Sequence, residues 1–383
     1  MVSLMLNIRA LHVSWGKMQG VFLHRRVFTQ MKKETVTTNQ ITEGVIWKQL
    51  LLFFFPIVLG TFFQQLYNTA DTIVVGRFVS KEALAAVGGS AAQIVGLIVG
   101  FFVGLASGAS VIISQFYGAK NRVQLNRALH TAYAFSIIGS IFITVLGILI
   151  APWMLELMHT PQETMADALL YLRIYFAGII FVFIYNVGSS ILRAMGDSRR
   201  PLYYLIVCCF LNIVLDIVLV IVFHMGVAGV SIATIFSQGV SAVLITRALM
   251  HSDDLYQLEF RKIRFHKAAL ISLIWVGCPT GIQSVLYSVT NMLIQTFLNN
   301  LGTDTVAAWS AFGKIDSLYW MVNNAFGIAV TTFVGQNFGA GKYDRMKKSV
   351  RIGLCMGLCT ALTLTLIFYN FGTPLFRLFT SDE

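Results

Sequence analysis

Apolar residues run in long blocks from about residue 50 to 371, and polar residues gather in short clusters between them. The blocks predict nine membrane-spanning helices, at about 50–74, 88–112, 128–150, 170–192, 202–223, 227–249, 270–299, 306–332 and 350–371. About 20 apolar helical residues suffice to cross a bilayer. Punctuation supports the division. Pro152 and Pro161 bracket a loop with Glu156, Glu163 and Asp167, and His224-Met-Gly226 turns span five into span six. Pro279 predicts a kink near the start of span seven. Ile41 to Gln49 reads as a short interfacial helix, with Trp47 and Lys48 at headgroup level. Span two is rich in small residues (Gly96, Gly100, Gly104, Gly108), which lets helices approach closely.

Composition agrees. Of 383 residues, 56% are apolar and only 12% charged, with mean hydropathy +0.73; a soluble chain carries about 25% charged residues. The net charge of +11 would suit nucleic acid, but it is spread over the short loops between spans. With the N-terminus inside, 23 of the 28 lysines and arginines fall on the inner side. The positive-inside bias therefore places the N-terminus in the cytoplasm, and no nucleic-acid partner is expected. The five cysteines lie in or beside apolar runs and form neither a disulfide framework nor a zinc pattern. Cys355 and Cys359 share a helix face as small packing residues. Residues 1–30 hold scattered basic residues and no small-residue cleavage site, and Met31-Lys-Lys makes a more natural start. Residues 1–40 are thus read as a disordered or mis-assigned extension.

One polar residue stands out. Asp71 closes span one and is followed by Thr-Ile-Val-Val. An acid in lipid costs about 2.5–3.5 kcal/mol on insertion scales, so its default reading is an ion or proton site. The plainer alternative is a polar residue at the outer interface.

The chain also repeats itself. Pro56 and Asn68 recur at the same offset as Pro279 and Asn291, and Gln115-Phe-Tyr-Gly118-Ala119 recurs as Gln336-Asn-Phe-Gly339-Ala340. Six spans separate the copies, so both face the same way, as in the two lobes of a transporter. The second copy stops after three spans, and the symmetry implies a fragment lacking about three more. Four features together resemble the multidrug and toxic compound extrusion (MATE) family. They are Asp71 in span one, the Gln-x-x-Gly-Ala loops, Leu192-Arg-Ala-Met-Gly-Asp197-Ser-Arg-Arg-Pro201 after span four, and Asn212-x-x-x-Asp216 in span five. The resemblance covers about residues 45–380. It implies an all-α polytopic fold of two six-helix lobes, here a complete first lobe and about three helices of the second. It also implies export of organic cations driven by sodium or proton entry. The expected division is 41–250 for the first lobe, 251–269 for a cytoplasmic linker and 270–383 for the partial second lobe. A monomer in the plasma membrane bilayer is expected, with no cofactor beyond the coupling ion.

Asn212 and Asp216 are four apart and share a helix face. Thr234 follows on span six, and Asp71 comes from span one of the same lobe. Converging, they offer two carboxylates, an amide carbonyl and a hydroxyl, hard oxygen ligands suited to an alkali cation such as sodium. Two carboxylates in a low dielectric also repel, so the pair can take up a proton. The resemblance points the same way: the family's first-lobe cation site matches Asp71, Asn212, Asp216 and Thr234. The alternative is two separate polar contacts between helices. In the second lobe Gln283, Asn291 and Gln295 share an approximate face and are cavity candidates, with Lys314 and Asp316 of span eight. Tyr287 stands where some family members carry a glutamate, which argues against a second-lobe cation site. A lipid-linked or oligosaccharide flippase of the same superfamily is the competing function, but two acids favour cations over phosphate. Metalloprotease, nucleophile-elbow and phosphate-loop motifs do not occur, so no enzyme is expected. The two-lobe repeat suits alternating access better than a channel.

Overall fold

The computed structural model describes residues 40–252, 256–299 and 303–377. After a short turn at Gln40–Thr42 come α1 (Ile46–Phe78), α2 (Lys81–Gly88), α3 (Ser90–Gly118), α4 (Arg122–Leu157), α5 (Gln162–Ala177) and α6 (Ile179–Ala194). Then follow α7 (Arg199–Asp216), a π-helical turn at Ile217–Val222, α8 (Gly226–Met250), α9 (Lys267–Asn299), α10 (Thr303–Gly339) and α11 (Tyr343–Arg377). Among the described residues there is no strand. Among the described residues, seven helices are long and apolar enough to cross a membrane, or eight if the bent pair α5–α6 counts as one span. The helix expected as span eight, α10, is 37 residues long but is not among them. The apolar side chains that stay exposed, such as Leu149, Phe142 and Trp153 on α4, form the surface a bilayer covers.

Local chemistry sets the helix ends. Ser80 Oγ accepts the Ala83 N–H at 3.0 Å at the start of α2, and Asn121 Oδ1 accepts that of Gln124 at 3.1 Å at the start of α4. The Leu192–Pro201 motif is the turn between α6 and α7. Gly196 sits at φ +98°, where a side chain would be strained, and Asp197 Oδ1 accepts the N–H groups of Arg199 and Arg200 at 3.0 and 3.1 Å.

Several expectations need correction. Residues 41–49 do not form a separate interfacial helix; residues 40–42 make a turn, Gly44 takes φ +76°, and helix begins at Ile46 and runs unbroken into the span. Span four is two helices bent by 52° at Gly178. No proline causes that bend. Thr144 Oγ1 of α4 donates to the Phe176 carbonyl at 2.8 Å and so competes for the helix ladder there. On the other side, a Cβ on Gly178 would lie 2.0 Å from Ile235 Cγ2. Cys355 and Cys359 are also exposed rather than packed. The expected extension at residues 1–30 lies outside the described residues.

α1 to α8 form one group of helices, and α9 to α11 lean on it along α3 and α1. Phe54 of α1 stacks on Phe326 of α10 at 4.1 Å, beside Phe53 against Phe333. The α3–α9 crossing is glycine on glycine: a Cβ on Gly104 or Gly108 would come within 2.5 Å of the Gly281 or Gly277 backbone. Beyond it, a Cβ on Gly118 would lie 2.0 Å from the Gln336 carbonyl, and one on Gly339 would lie 1.9 Å from that of Gln115. The repeated Gln-x-x-Gly-Ala segments, expected as loops, are instead the C-terminal ends of α3 and α10, and they meet reciprocally, each glycine beneath the other's glutamine carbonyl. In the opposite direction the contact loosens. A Cβ on Gly100 would sit 3.7 Å from Ser284 Cβ, and at Gly96 and Gly88 nothing lies within 4 Å. Among the described residues, the glycine contacts of the seam are tight at one end and looser toward the other.

The segment after α8 docks on α4 through histidines. His130 Nδ1 lies 2.7 Å from the Asn126 carbonyl, which leaves Nε2 to accept the Glu259 N–H at 3.1 Å. Thr131 Oγ1 accepts the His266 N–H at 3.1 Å and lies 3.3 Å from its Nδ1, while Arg264 Nε donates to His266 Nε2 at 3.4 Å. Partial burial, then the nearby Arg264 and Arg127 charges, hold the His266 imidazole below its ordinary value. A depressed imidazole stabilises the docked form fully above about pH 6.5, and that contribution is lost as pH falls through the depressed value. Amide exchange at residues 256–266 should therefore speed up as pH is lowered below about 6, after correction for intrinsic exchange. Corrected rates that do not change with pH would refute this.

Candidate functional site

The C-terminal half of α1 buries two polar residues, Tyr67 and Asp71, and leaves the others at least partly exposed. Asp71 is 9% exposed, although Thr69 and Thr72 beside it are exposed. Asn212 and Asp216 lie one turn apart on the inward face of α7 and are 0% exposed; Thr234 of α8 is 7% exposed. The structure brings all four together. Thr234 Oγ1 lies 3.1 Å from Asp71 Oδ2 and 3.0 Å from the Val230 carbonyl, so its one hydrogen is shared between them. Asp216 and Asn212 lie beside Asp71 at interaction range. The contacts fall short of hydrogen-bond geometry: Asp71 Oδ1, both Asp216 oxygens and both polar atoms of Asn212 are buried without a hydrogen-bond partner. Buried polar atoms are normally paired, so a group of five such atoms marks a site built for something other than packing. Asp216 is also the last α-helical residue before the π-helical turn; such turns interrupt helices frequently at functional sites.

The stripe continues one turn inward. Gln238 Nε2 donates to the Tyr67 hydroxyl at 3.1 Å, and Gln238 Oε1 is left without a partner. Tyr67 is four residues before Asp71 and Gln238 four after Thr234, so the two pairs are successive rungs between α1 and α8. Tyr171 and Tyr175 of α5 stack at 5.9 Å within electrostatic reach of Asp71. The sequence reading missed these tyrosines and Gln238; extending the Asp71 and Thr234 stripes by one turn finds Tyr67 and Gln238.

The second-lobe candidates are placed apart from this cluster. Gln283 is partly buried on α9, while Tyr287 and Asn291 are exposed on the same helix. Tyr287 meets Trp320 of α10 edge-on at 5.6 Å. Asp316 is partly buried on α10, and the side chains of Lys314 and Gln295 lie outside the described residues. Among the described contacts none gathers these residues into one site.

Comparison with known proteins bears on what such a bundle does. The model of the MatE family matches residues 56–218 and 279–383. The chain belongs to the MATE family. It is 28% identical over 363 residues to the probable multidrug resistance protein YoeA of Bacillus subtilis, spanning 92% of this chain and 78% of that one. It is 32% identical over 343 residues to the probable multidrug resistance protein YpnP of the same organism, spanning 89% of this chain and 76% of that one. Its fold matches a multidrug resistance MATE family transporter of the MOP superfamily, solved in an outward-facing conformation. The TM-score is 0.84 at 24% identity, over 92% of this chain and 78% of that one. As a MATE protein the chain is a multi-pass membrane transporter and not an enzyme.

Proposed function

We propose that this MATE protein is a cation-coupled antiporter that exports organic cations, drugs among them, by alternating access. The observation that carries the reading is the pair of acids, Asp71 and Asp216, buried together with three carboxylate oxygens unpartnered. Asp71, Asn212, Asp216 and Thr234 supply hard oxygens for sodium, and the carboxylate pair can instead take a proton. Entry of either offsets one of the two carboxylate charges, relieves their repulsion and lets α1, α7 and α8 repack. One charge crossing about 100 mV supplies roughly 2.3 kcal/mol. A cation shifts the balance between outward- and inward-open forms only by its differential affinity for them. A site made of three helices that move relative to one another has that property.

Relatives named for multidrug resistance support the class of cargo. The remaining proposals follow the same reading. Residues 41–250 act as the first lobe, 251–269 as the linker and 270–383 as part of the second, with Gln283, Tyr287, Asn291, Lys314 and Asp316 at the drug cavity. The protein works as a monomer in the plasma membrane with its N-terminus in the cytoplasm. The test is efflux of a fluorescent organic cation from proteoliposomes, with sodium and pH gradients applied separately. Uphill movement under one of them is expected. Movement only down the cargo's own gradient would remove the antiport reading.

A further inference from the structure

The tight end of the seam carries a set of hydrogen bonds that run between the two groups of helices. Arg345, at the start of α11, places its guanidinium among the carbonyls that precede α1. Nη1 donates to Gly44 O at 2.6 Å, and Nη2 donates to Glu43 O at 2.7 Å and to Gln49 Oε1 at 3.0 Å. Nε and Nη2 reach Ile41 O at 3.3 and 3.2 Å. Lys342 Nζ donates to Thr42 O at 2.9 Å and Asn337 Nδ2 to Ile41 O at 3.4 Å. Gln336 Nε2 donates to Ala194 O, at the C-terminal end of α6, at 2.7 Å. Four side chains of the α10–α11 corner thus hold two backbone segments of the first group, and all but one of the acceptors are main-chain carbonyls. A guanidinium suits this task, because its planar fork offers several donors in fixed directions.

The grip fits the break between the short turn at residues 40–42 and α1, since the Glu43 and Gly44 carbonyls are held by Arg345 rather than by a helix ladder. It also bears on movement. The gripped segment leads directly into α1, the helix that carries Asp71. The glycine contacts beneath the grip, at Gly118 and Gly339, are backbone against backbone, and the apolar cluster of Ile41, Leu50, Phe53 and Phe54 against Phe326 and Phe333 packs at the same end; the grip adds the directional contacts. The geometry points to Arg345 as the central residue of a latch, which with Lys342, Asn337 and Gln336 holds this end of the seam shut and must release for the transporter to open there. The inference rests on the alternating-access reading. It assigns to the first glutamine of the second Gln-x-x-Gly-Ala segment, and to the basic cluster after it, a gating role distinct from the cation cluster.

The test reads the seam directly and needs no transport, so it fails or succeeds independently of coupled export. Ser114 is 0% exposed, and a Cβ on Gly335 would meet its Oγ at 1.9 Å, so it lies in the seam itself. In the full chain with its five native cysteines replaced by alanine, Ser114→Cys is introduced and the protein is placed in lipid nanodiscs. Its labelling by a small hydrophilic thiol reagent is then timed. Arg345→Ala should speed labelling about tenfold or more, Arg345→Lys by less, and Gln49→Ala, which removes one acceptor, least. Ser241→Cys, 0% exposed on α8 and away from α9–α11, serves as the control for general loosening. Equal protection of the Ser114→Cys thiol with and without Arg345 overturns the latch. So does an equal rise at Ser241→Cys. If Arg345→Ala does not fold, the graded order of the lysine and Gln49→Ala variants decides.

Discussion

Asp216→Asn abolishes cation-coupled export, yet the variant inserts, folds and unfolds at a higher temperature than the parent. The two halves of this expectation have one cause. Both Asp216 oxygens and Asp71 Oδ1 are buried without hydrogen-bond partners, and each buried unsatisfied polar atom costs about 1–3 kcal/mol, more when charged. Two carboxylates side by side add repulsion. An amide of the same shape removes one charge and adds two donors that Asp71 Oδ1 and Asn212 Oδ1 can use. A gain of about 1–2 kcal/mol is expected, visible as a rise of a few degrees in unfolding midpoint. Transport suffers for the same reason. A cluster that has lost one of its two carboxylates gains less from a cation, so the gradient loses its hold on the equilibrium between states. Asp71→Asn should behave alike, with a smaller gain because Thr234 already serves one oxygen. Efflux from proteoliposomes and thermal unfolding of the purified protein check the pair of outcomes together. A variant that is less stable and still exports would mean that the acids are structural contacts between helices.

Gly118→Ala should separate the two groups of helices at their tight end and lower stability by about 1–3 kcal/mol. The added methyl would come within 2.0 Å of the Gln336 carbonyl oxygen and 2.7 Å of its Cα. These are backbone atoms, so no rotamer change relieves the clash and the helices themselves must move. Gly339→Ala meets the Gln115 carbonyl in the same way across the repeat and should have a similar effect. The matched control is Gly96→Ala on the same helix. Nothing lies within 4 Å of its Cβ, and alanine is the better helix former by up to about 1 kcal/mol, so that variant should be neutral or slightly stabilised. Thermal unfolding of the three variants tests the contrast. Equal midpoints for Gly118→Ala and Gly96→Ala would mean that the seam is looser than its glycine contacts imply.

Much of the architecture could be read from local sequence, because a lipid solvent leaves a chain few options. Long apolar runs become helices so that every backbone polar group is satisfied within its own segment. The runs at 128–150 and 227–249 accordingly lie within α4 and α8. The core of the site was legible for a related reason. Asn212 and Asp216 are a helical turn apart, and Gly226 turns the chain back so that Thr234 runs antiparallel to them. Only the arrival of Asp71 from α1 needed long-range packing, and the cost of a buried acid pointed to it. Where helices bend was less legible. The kink at Gly178 comes with a hydrogen bond from Thr144 on a neighbouring helix to the Phe176 carbonyl, 32 residues along the chain, which no local pattern announces.

The sequence by itself determined that this chain is a helical membrane protein with an internal repeat and a pair of acids too costly to be incidental. Apolar runs, helical spacing and the penalty for charge in lipid are properties of short stretches, and short stretches suffice to read them. Tertiary structure alone decided that the repeated Gln-x-x-Gly-Ala segments face each other. It also decided that Arg345 grips carbonyls about 300 residues earlier in the chain. Most of those contacts are to main-chain atoms. Every residue has a carbonyl, so the sequence carries no mark of which one a distant side chain will find.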